Sequence, residues 1–111
     1  MKNDVPVAVQ ACHDLLKWMV PVLDQFPRNR RFSLGERLED GLLTVLELLI
    51  EAAYSSHKGE ALKRANLRLQ RVRHLWRLCY ELKVINGRRY ENGSRLIDDV
   101  GRQVGGVAKE F

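Results

Sequence analysis

The sequence contains little proline, cysteine or aromatic residue: three prolines, two cysteines and 7% aromatics in 111 residues. It has neither a CxxC nor an HxxxH pair, so nothing in it supports a zinc site. No apolar run approaches the ~20 residues of a membrane-spanning helix, and residues 1–4 lack the apolar segment of a signal peptide. We therefore expect a soluble, cytoplasmic protein that makes no membrane contact, with Cys12 and Cys79 as buried, reduced thiols.

Catalytic patterns are also missing from the sequence. The glycines at 101, 105 and 106 lack the strand–loop–helix context and the lysine of a phosphate-binding loop. Asp98 and Asp99 are adjacent, so on a helix their carboxylates point about 100° apart and do not easily share a metal. We interpret this pair as solvent-facing or as partners of arginines. The sequence predicts a protein that is not an enzyme, with no catalytic residue, cofactor or metal.

What is present is helical periodicity across a single domain of residues 1–111. Apolar residues make up 45% of the chain and charged residues 30%, and the apolar positions recur at spacings of three and four. They predict four helices over residues 4–25, 33–54, 60–85 and 93–110. Short connections between amphipathic helices are typical of an all-α, antiparallel up-down four-helix bundle.

The expected helix boundaries depend on a few residues. Asp4 is a candidate N-cap for the first helix, and Pro21 predicts a kink or an early end near Val20. Ser33 and Glu36 have the spacing of a capping box, which would start the second helix. The pair at 86–87, Asn-Gly, is a turn signal after the third helix.

Two helices show features that suggest close neighbours. The apolar arc of the second helix is too wide for one partner, so we expect two neighbouring helices or a second subunit. The fourth helix keeps glycines at 101, 105 and 106, which predicts the close approach of another backbone or, alternatively, a frayed end.

The net charge is +5 and the pI is about 9.6, which favours an anionic partner: RNA, DNA or an acidic protein surface. Residues 63–77 carry six basic residues and no acid. On a helix they form two strips on opposite sides of the apolar seam, the first of Arg64, Arg68 and Arg71, the second of Arg73 and Arg77. Partner phosphates, or acids of another helix or subunit, could neutralise these charges. The alternative is that the arginines form a solvated basic face.

Further arginines concentrate at the two connections that an up-down bundle brings to one end. Arg28, Arg30 and Arg31 fall between the first two predicted helices, and Arg88 and Arg89 between the last two. Arg37 is expected in the first turn of the second helix, where it opposes the helix dipole. It is therefore expected to pair with Glu36, Asp40 or a partner.

Three stretches carry a family resemblance: FPRNRRFSLGERL at 26–38, LWRLCYELK at 75–83 and IDDVGRQVGG at 97–106. The chain resembles the accessory variability determinant proteins of diversity-generating retroelements. These belong to a wider four-helix-bundle family that includes proteins encoded in intervening sequences of 23S ribosomal RNA.

The resemblance implies a non-catalytic accessory subunit. Five bundles would assemble into a barrel, a homopentamer, whose basic surface binds the retroelement reverse transcriptase and nucleic acid during mutagenic copying of a template repeat. The alternative is a self-associating structural bundle of the intervening-sequence type with no reverse transcriptase partner. The candidate residues for nucleic-acid or partner binding are Arg28, Arg30, Arg31, Arg64, Arg68, Arg71, Arg73, Arg77, Arg88 and Arg89.

Overall fold

Four long helices make up most of the chain in the computed structural model, which describes residues 5–111. They are α1 (Val5–Asp24), α3 (Glu36–Tyr54), α4 (Lys58–Glu81) and α5 (Gly87–Ala108), and a short helix α2 (Arg28–Arg30) precedes α3. No strand occurs within the described residues. The all-helical prediction is confirmed, and the four helices are consistent with a four-helix bundle. The expected N-cap Asp4 lies outside the described residues.

The helices share one apolar core to which all four contribute. α3 packs against α1 and α4, while α5 packs against α4 and α1. The wide apolar arc of α3 therefore has two neighbouring helices, one of the two alternatives expected. Near the centre, the rings of Trp18 and Trp76 meet edge to face with centroids 6.0 Å apart. The Trp76 Nε1–H donates to the Tyr90 carbonyl oxygen at 3.0 Å.

Of the two effects expected of Pro21, a kink or an early end of α1, the early end is wrong, and the kink stays a prediction. The helix continues through Pro21 to Asp24. The hydrogen bond that proline cannot make would have gone to the carbonyl of Lys17, four residues earlier. Lys17 and Pro21 are both exposed. The unpaired carbonyl therefore lies on the solvent-exposed side of the helix, where water can donate a hydrogen bond to it.

The second helical segment begins at Arg28, five residues earlier than the capping box predicts. The Pro27 carbonyl accepts the backbone N–H groups of Arg30 and Arg31, both at 2.8 Å. Residues 31–35 form a π-helical turn, because the Glu36 N–H reaches back to the Arg31 carbonyl. The Ser33 Oγ donates to the Asn29 carbonyl at 3.1 Å and caps nothing. The capping box is therefore wrong: its residues lie inside a helical run that the proline has already started.

α4 ends at Glu81 and not at Ile85, because the chain turns sharply at Lys83. Lys83 has a left-handed backbone with φ 62°. Its N–H donates to the Tyr80 carbonyl at 3.0 Å, and the Val84 N–H donates to the Cys79 carbonyl at 2.8 Å. These two bonds are the Schellman pattern that closes a helix, with lysine in the position usually taken by glycine.

α5 begins at Gly87, six residues before the expected start at residue 93. The Asn86 side chain accepts the Arg89 N–H at 2.8 Å. The Asn-Gly pair is thus the N-cap and first residue of α5, because an asparagine that favours a turn also favours a cap.

The glycines of α5 have different surroundings. A Cβ on Gly101 would lie 3.2 Å from Arg73 Nη2, whereas Cβ atoms on Gly105 and Gly106 would meet nothing within 4 Å. Within the described chain, none of the three meets another backbone, so the close approach does not occur inside the chain; the alternative, a frayed end, stays a prediction. The close contacts lie elsewhere: a Cβ on Gly93 would fall 2.6 Å from the Trp76 ring, and one on Gly41 would fall 2.9 Å from Val72 Cγ2.

Candidate nucleic-acid interface

Five arginines gather where the end of α1 meets the start of α5; we call this the basic end and define it as Arg28, Arg30, Arg31, Arg88 and Arg89. The Arg89 Nη2 donates to Gln25 Oε1 at 2.6 Å, which joins the first residues of α5 to the segment between α1 and α2. The sequence placed these arginines in two loops. All five instead lie in helical turns, because the helices on both sides start earlier than expected.

Most of the basic end has no counter-charge in the described chain. Arg31 Nη1 pairs with Asp24 Oδ1 at 2.6 Å, and Arg89 binds the neutral Gln25. The side chains of Arg28, Arg30 and Arg88 make no hydrogen bond or ion pair within residues 5–111. A cleft of 320 Å³ at the start of α5 is lined by Arg88, Arg89 and the half-buried ring of Trp18.

The helix backbone adds to the positive potential of the basic end. The first turn of α5 contains no acidic residue but does contain Arg88 and Arg89. A helix N-terminus favours negative charge by about 0.3–1 kcal/mol per group, so arginines there are disfavoured by a similar amount. An anion bound at this end would relieve that repulsion.

The first arginine strip lies along α4 beside α3. Arg64 Nη1 is 3.3 Å from Glu51 Oε2, and Arg68 Nη2 is 3.3 Å from Asp40 Oδ2. Arg71 has no side-chain partner within the described residues. Carboxylates of α3 therefore form ion pairs with two of the three arginines.

The second strip lies on the α5 side of α4. Arg73 donates to Asp98 Oδ1 at 2.9 Å and to Gln70 Oε1 at 2.8 Å. Arg77 pairs along its own helix with Glu81 Oε2 at 3.3 Å. The interpretation of the two aspartates as arginine partners is confirmed, since Asp99 also pairs with Arg95 and Arg102.

These pairs do not remove the strips from consideration as binding residues. The side chains of Arg64 and Arg77 are more than half exposed even when paired. Exposed ion pairs are worth about 0.2–1 kcal/mol, so a phosphate could replace the carboxylate at small cost. The basic end is nevertheless the stronger candidate, because more of its arginines lack an ion-pair partner within the described residues.

Sequence reasoning missed the position of Arg37. It lies well inside the helical run that begins at Arg28, so it does not oppose a helix dipole in a first turn. It pairs with neither Glu36 nor Asp40 within the described residues. It lies instead beside Arg68 and Arg71 in a groove between α3 and α4. The one feature of the sequence that could have indicated this groove is Gly41, a small residue in a leucine-rich helix.

The remaining reactive groups do not form a site. The thiols of Cys12 and Cys79 are buried and form no disulfide. Burial raises the pKa of Cys12 to about 12 and that of Cys79 to about 11, so both remain protonated and unreactive at neutral pH. Residues 5–111 contain no group of three or more metal-ligating side chains placed to hold an ion. No helix in that range is long and apolar enough to cross a membrane.

The model of a family described as bAvd-like, bacterial accessory variability determinant, matches residues 6–111. Searches of the curated proteins and of the solved structures gave no significant match.

Proposed function

Because the chain belongs to the bAvd-like family, we propose that it is a non-catalytic accessory protein of a diversity-generating retroelement. It binds the reverse transcriptase and nucleic acid, template RNA or complementary DNA, through its basic surface. The single observation that carries the nucleic-acid part is the basic end, where Arg28, Arg30 and Arg88 have no counter-charge and α5 begins without an acid.

The proposal includes an antiparallel up-down order of the helices. Its support is the sequence of contacts between α4 and α5. Leu69 and Arg73 of α4 lie near Gly101, and Trp76 lies against Gly93, so residue numbers rise along one helix as they fall along the other. This order puts both arginine-bearing segments at one end and so builds the basic end.

A homo-oligomer, a pentamer by family resemblance, is also part of the proposal. α3 carries apolar side chains that no helix within residues 5–111 covers: Leu43 and Ile50 are more than 40% exposed and Tyr54 is 89% exposed. A location in the cytoplasm fits the two free thiols, which are typical of a reducing compartment.

Salt-dependent RNA binding tests the nucleic-acid part. Each phosphate contact to a single strand contributes about 0.7 to the slope of log affinity against log salt. A variant with Arg28, Arg30 and Arg88 changed to Gln should therefore lower the slope by about 2 in anisotropy titrations with labelled single-stranded RNA. The matched control changes Lys17, Arg95 and Arg102 to Gln, which removes the same charge elsewhere. Equal loss in both variants, or binding insensitive to salt, would contradict the proposal.

The reverse transcriptase partner needs a separate experiment. We expect a reverse transcriptase gene and a pair of near-identical repeats beside the gene for this chain. That reverse transcriptase should co-purify with the tagged chain. An adjacent ribosomal RNA gene and no such enzyme would favour the alternative.

The alternative is a self-associating structural bundle of the intervening-sequence type. The observation that favours it is that Arg64, Arg68, Arg73 and Arg77 already pair with carboxylates of the same chain. Light scattering together with absorbance at 260 nm separates the two: an oligomer that never carries nucleic acid favours the structural role.

A further inference from the structure

The groove between α3 and α4 brings together three arginines from two helices. It has a volume of 330 Å³ and is lined by Arg37, Asp40 and Gly41 of α3 and by Arg68, Arg71, Val72 and Leu75 of α4. A Cβ on Gly41 would lie only 2.9 Å from Val72 Cγ2. The glycine therefore lets the helices approach at the floor of the groove, so that arginines of both reach the same space.

The charges of the groove do not balance. Three guanidinium groups face one carboxylate, that of Asp40, whose Oδ2 lies 3.3 Å from Arg68 Nη2. The Asp40 side chain is 75% exposed and that of Arg68 30%, so the acid lies at the rim and holds Arg68 in place. Arg37 and Arg71 have no partner within the described residues. Without a further anion, two like charges remain in one small groove.

The chemistry of the lining selects the kind of ligand. A cation is excluded by the excess of positive charge, and Val72 and Leu75 are the two apolar side chains among seven lining residues, four of which are charged. Guanidinium groups present paired donors that match the oxygens of a phosphate in bidentate geometry. Three of them from different directions suit a tetrahedral anion better than a planar carboxylate.

We propose that this groove is a phosphate-binding site, in which Arg37, Arg68 and Arg71 hold a single phosphate group. The source is either a phosphodiester of the bound nucleic acid, in which case the site rests on the proposed function, or a free phosphate. Asp40 competes with the phosphate for Arg68 and so limits its affinity.

Titration of the full chain with inorganic phosphate tests the site, followed through the side-chain N–H resonances of the three arginines. Arg37→Gln and Arg71→Gln should each weaken phosphate binding about tenfold, the effect of one lost charge-assisted contact. Arg95→Gln, on α5 and outside the groove, removes the same charge at a residue with no proposed binding role; it is the matched control and should change affinity less than twofold. Asp40→Asn should strengthen binding about threefold, because a like-signed charge is removed beside the anion.

The opposite signs keep the test decisive, since general damage to the fold cannot strengthen binding. Phosphate affinity that is unchanged in Arg37→Gln and Arg71→Gln overturns the site. So does succinate that binds the same arginines more tightly than phosphate, because the groove would then suit a protein carboxylate.

A parallel titration with single-stranded RNA identifies the source. RNA affinity that falls with phosphate affinity in Arg37→Gln identifies a phosphodiester. Unchanged RNA affinity identifies a free phosphate and leaves RNA binding to the basic end. If the parent chain binds phosphate but no RNA, the site stands and the nucleic-acid function fails.

Discussion

The contact between Gly93 and Trp76 makes Gly93→Ala a direct test of how α4 and α5 pack. The new Cβ would lie 2.6 Å from the indole carbons and 2.7 Å from its nitrogen. The ring is fully buried and bonded to the Tyr90 carbonyl, so it has little room to move. Overpacking costs about 1–3 kcal/mol and the strained hydrogen bond about 1 kcal/mol, while alanine returns about 1 kcal/mol of helix propensity. We expect a net loss of about 1–3 kcal/mol.

Urea unfolding followed by far-UV circular dichroism measures this loss, and thermal unfolding should show a shift of about 4–8 °C per kcal/mol. Gly105→Ala is the matched control, because its Cβ would meet nothing within 4 Å. It should stabilise the protein by about 0.5–1 kcal/mol through helix propensity alone. The same substitution in the same helix thus has opposite expected signs. A Gly93→Ala variant as stable as the parent would refute the packing of Gly93 against the indole.

Three further predictions concern stability. Lys83→Gly should raise the free energy of unfolding by about 0.5–1 kcal/mol, whereas Lys83→Ala should not raise it. The left-handed backbone at φ 62° costs lysine about 1–2 kcal/mol, and glycine removes that cost. Part of the gain is lost because glycine gives the unfolded chain more conformational entropy. A double-mutant cycle on Arg68 and Asp40 should give a coupling of about 0.2–1 kcal/mol. The thiols of Cys12 and Cys79 titrate near 12 and 11 in the fold against an ordinary pKa of 9.0. Unfolding therefore releases their protons above pH 9, and the free energy of unfolding should fall from pH 9 to 11, less steeply when both are alanine.

The sequence predicts the helices well because their apolar spacing is a local property. Their ends are predicted less well, since one motif can serve two structures. Ser33 and Glu36 have the spacing of a capping box, yet they lie inside a helix because Pro27 starts it first. Asn86 favours a turn and a cap alike, and only the surrounding structure makes it the cap of α5.

The candidate site depends on contacts between residues far apart in the chain. Helical spacing puts Arg64, Arg68 and Arg71 on one face, but it does not show that Asp40 lies opposite Arg68, 28 residues away. Nor does helical spacing show that Gly41 lets α3 and α4 approach closely at the groove, where Arg37 lies beside Arg68 and Arg71. Which arginines remain unpaired therefore becomes visible only when the helices are packed.

The π turn at residues 31–35 has a consequence for how the two halves of its helical run are oriented. A π turn holds one residue more than an α turn, so the residues before it lie about 100° around the helix axis from where an uninterrupted α-helix of the same sequence would put them. The leucines of α3 fix the phase of one half against the core, and the turn sets the phase of Arg28 and Arg30 relative to it. Deletion of Ser33 would remove the extra residue and restore a uniform α-helix, so Arg28 and Arg30 would keep nearly their present direction relative to the leucines of α3. The π turn thus absorbs one residue between the arginine-bearing segment and α3, while the two segments keep their directions around a common axis.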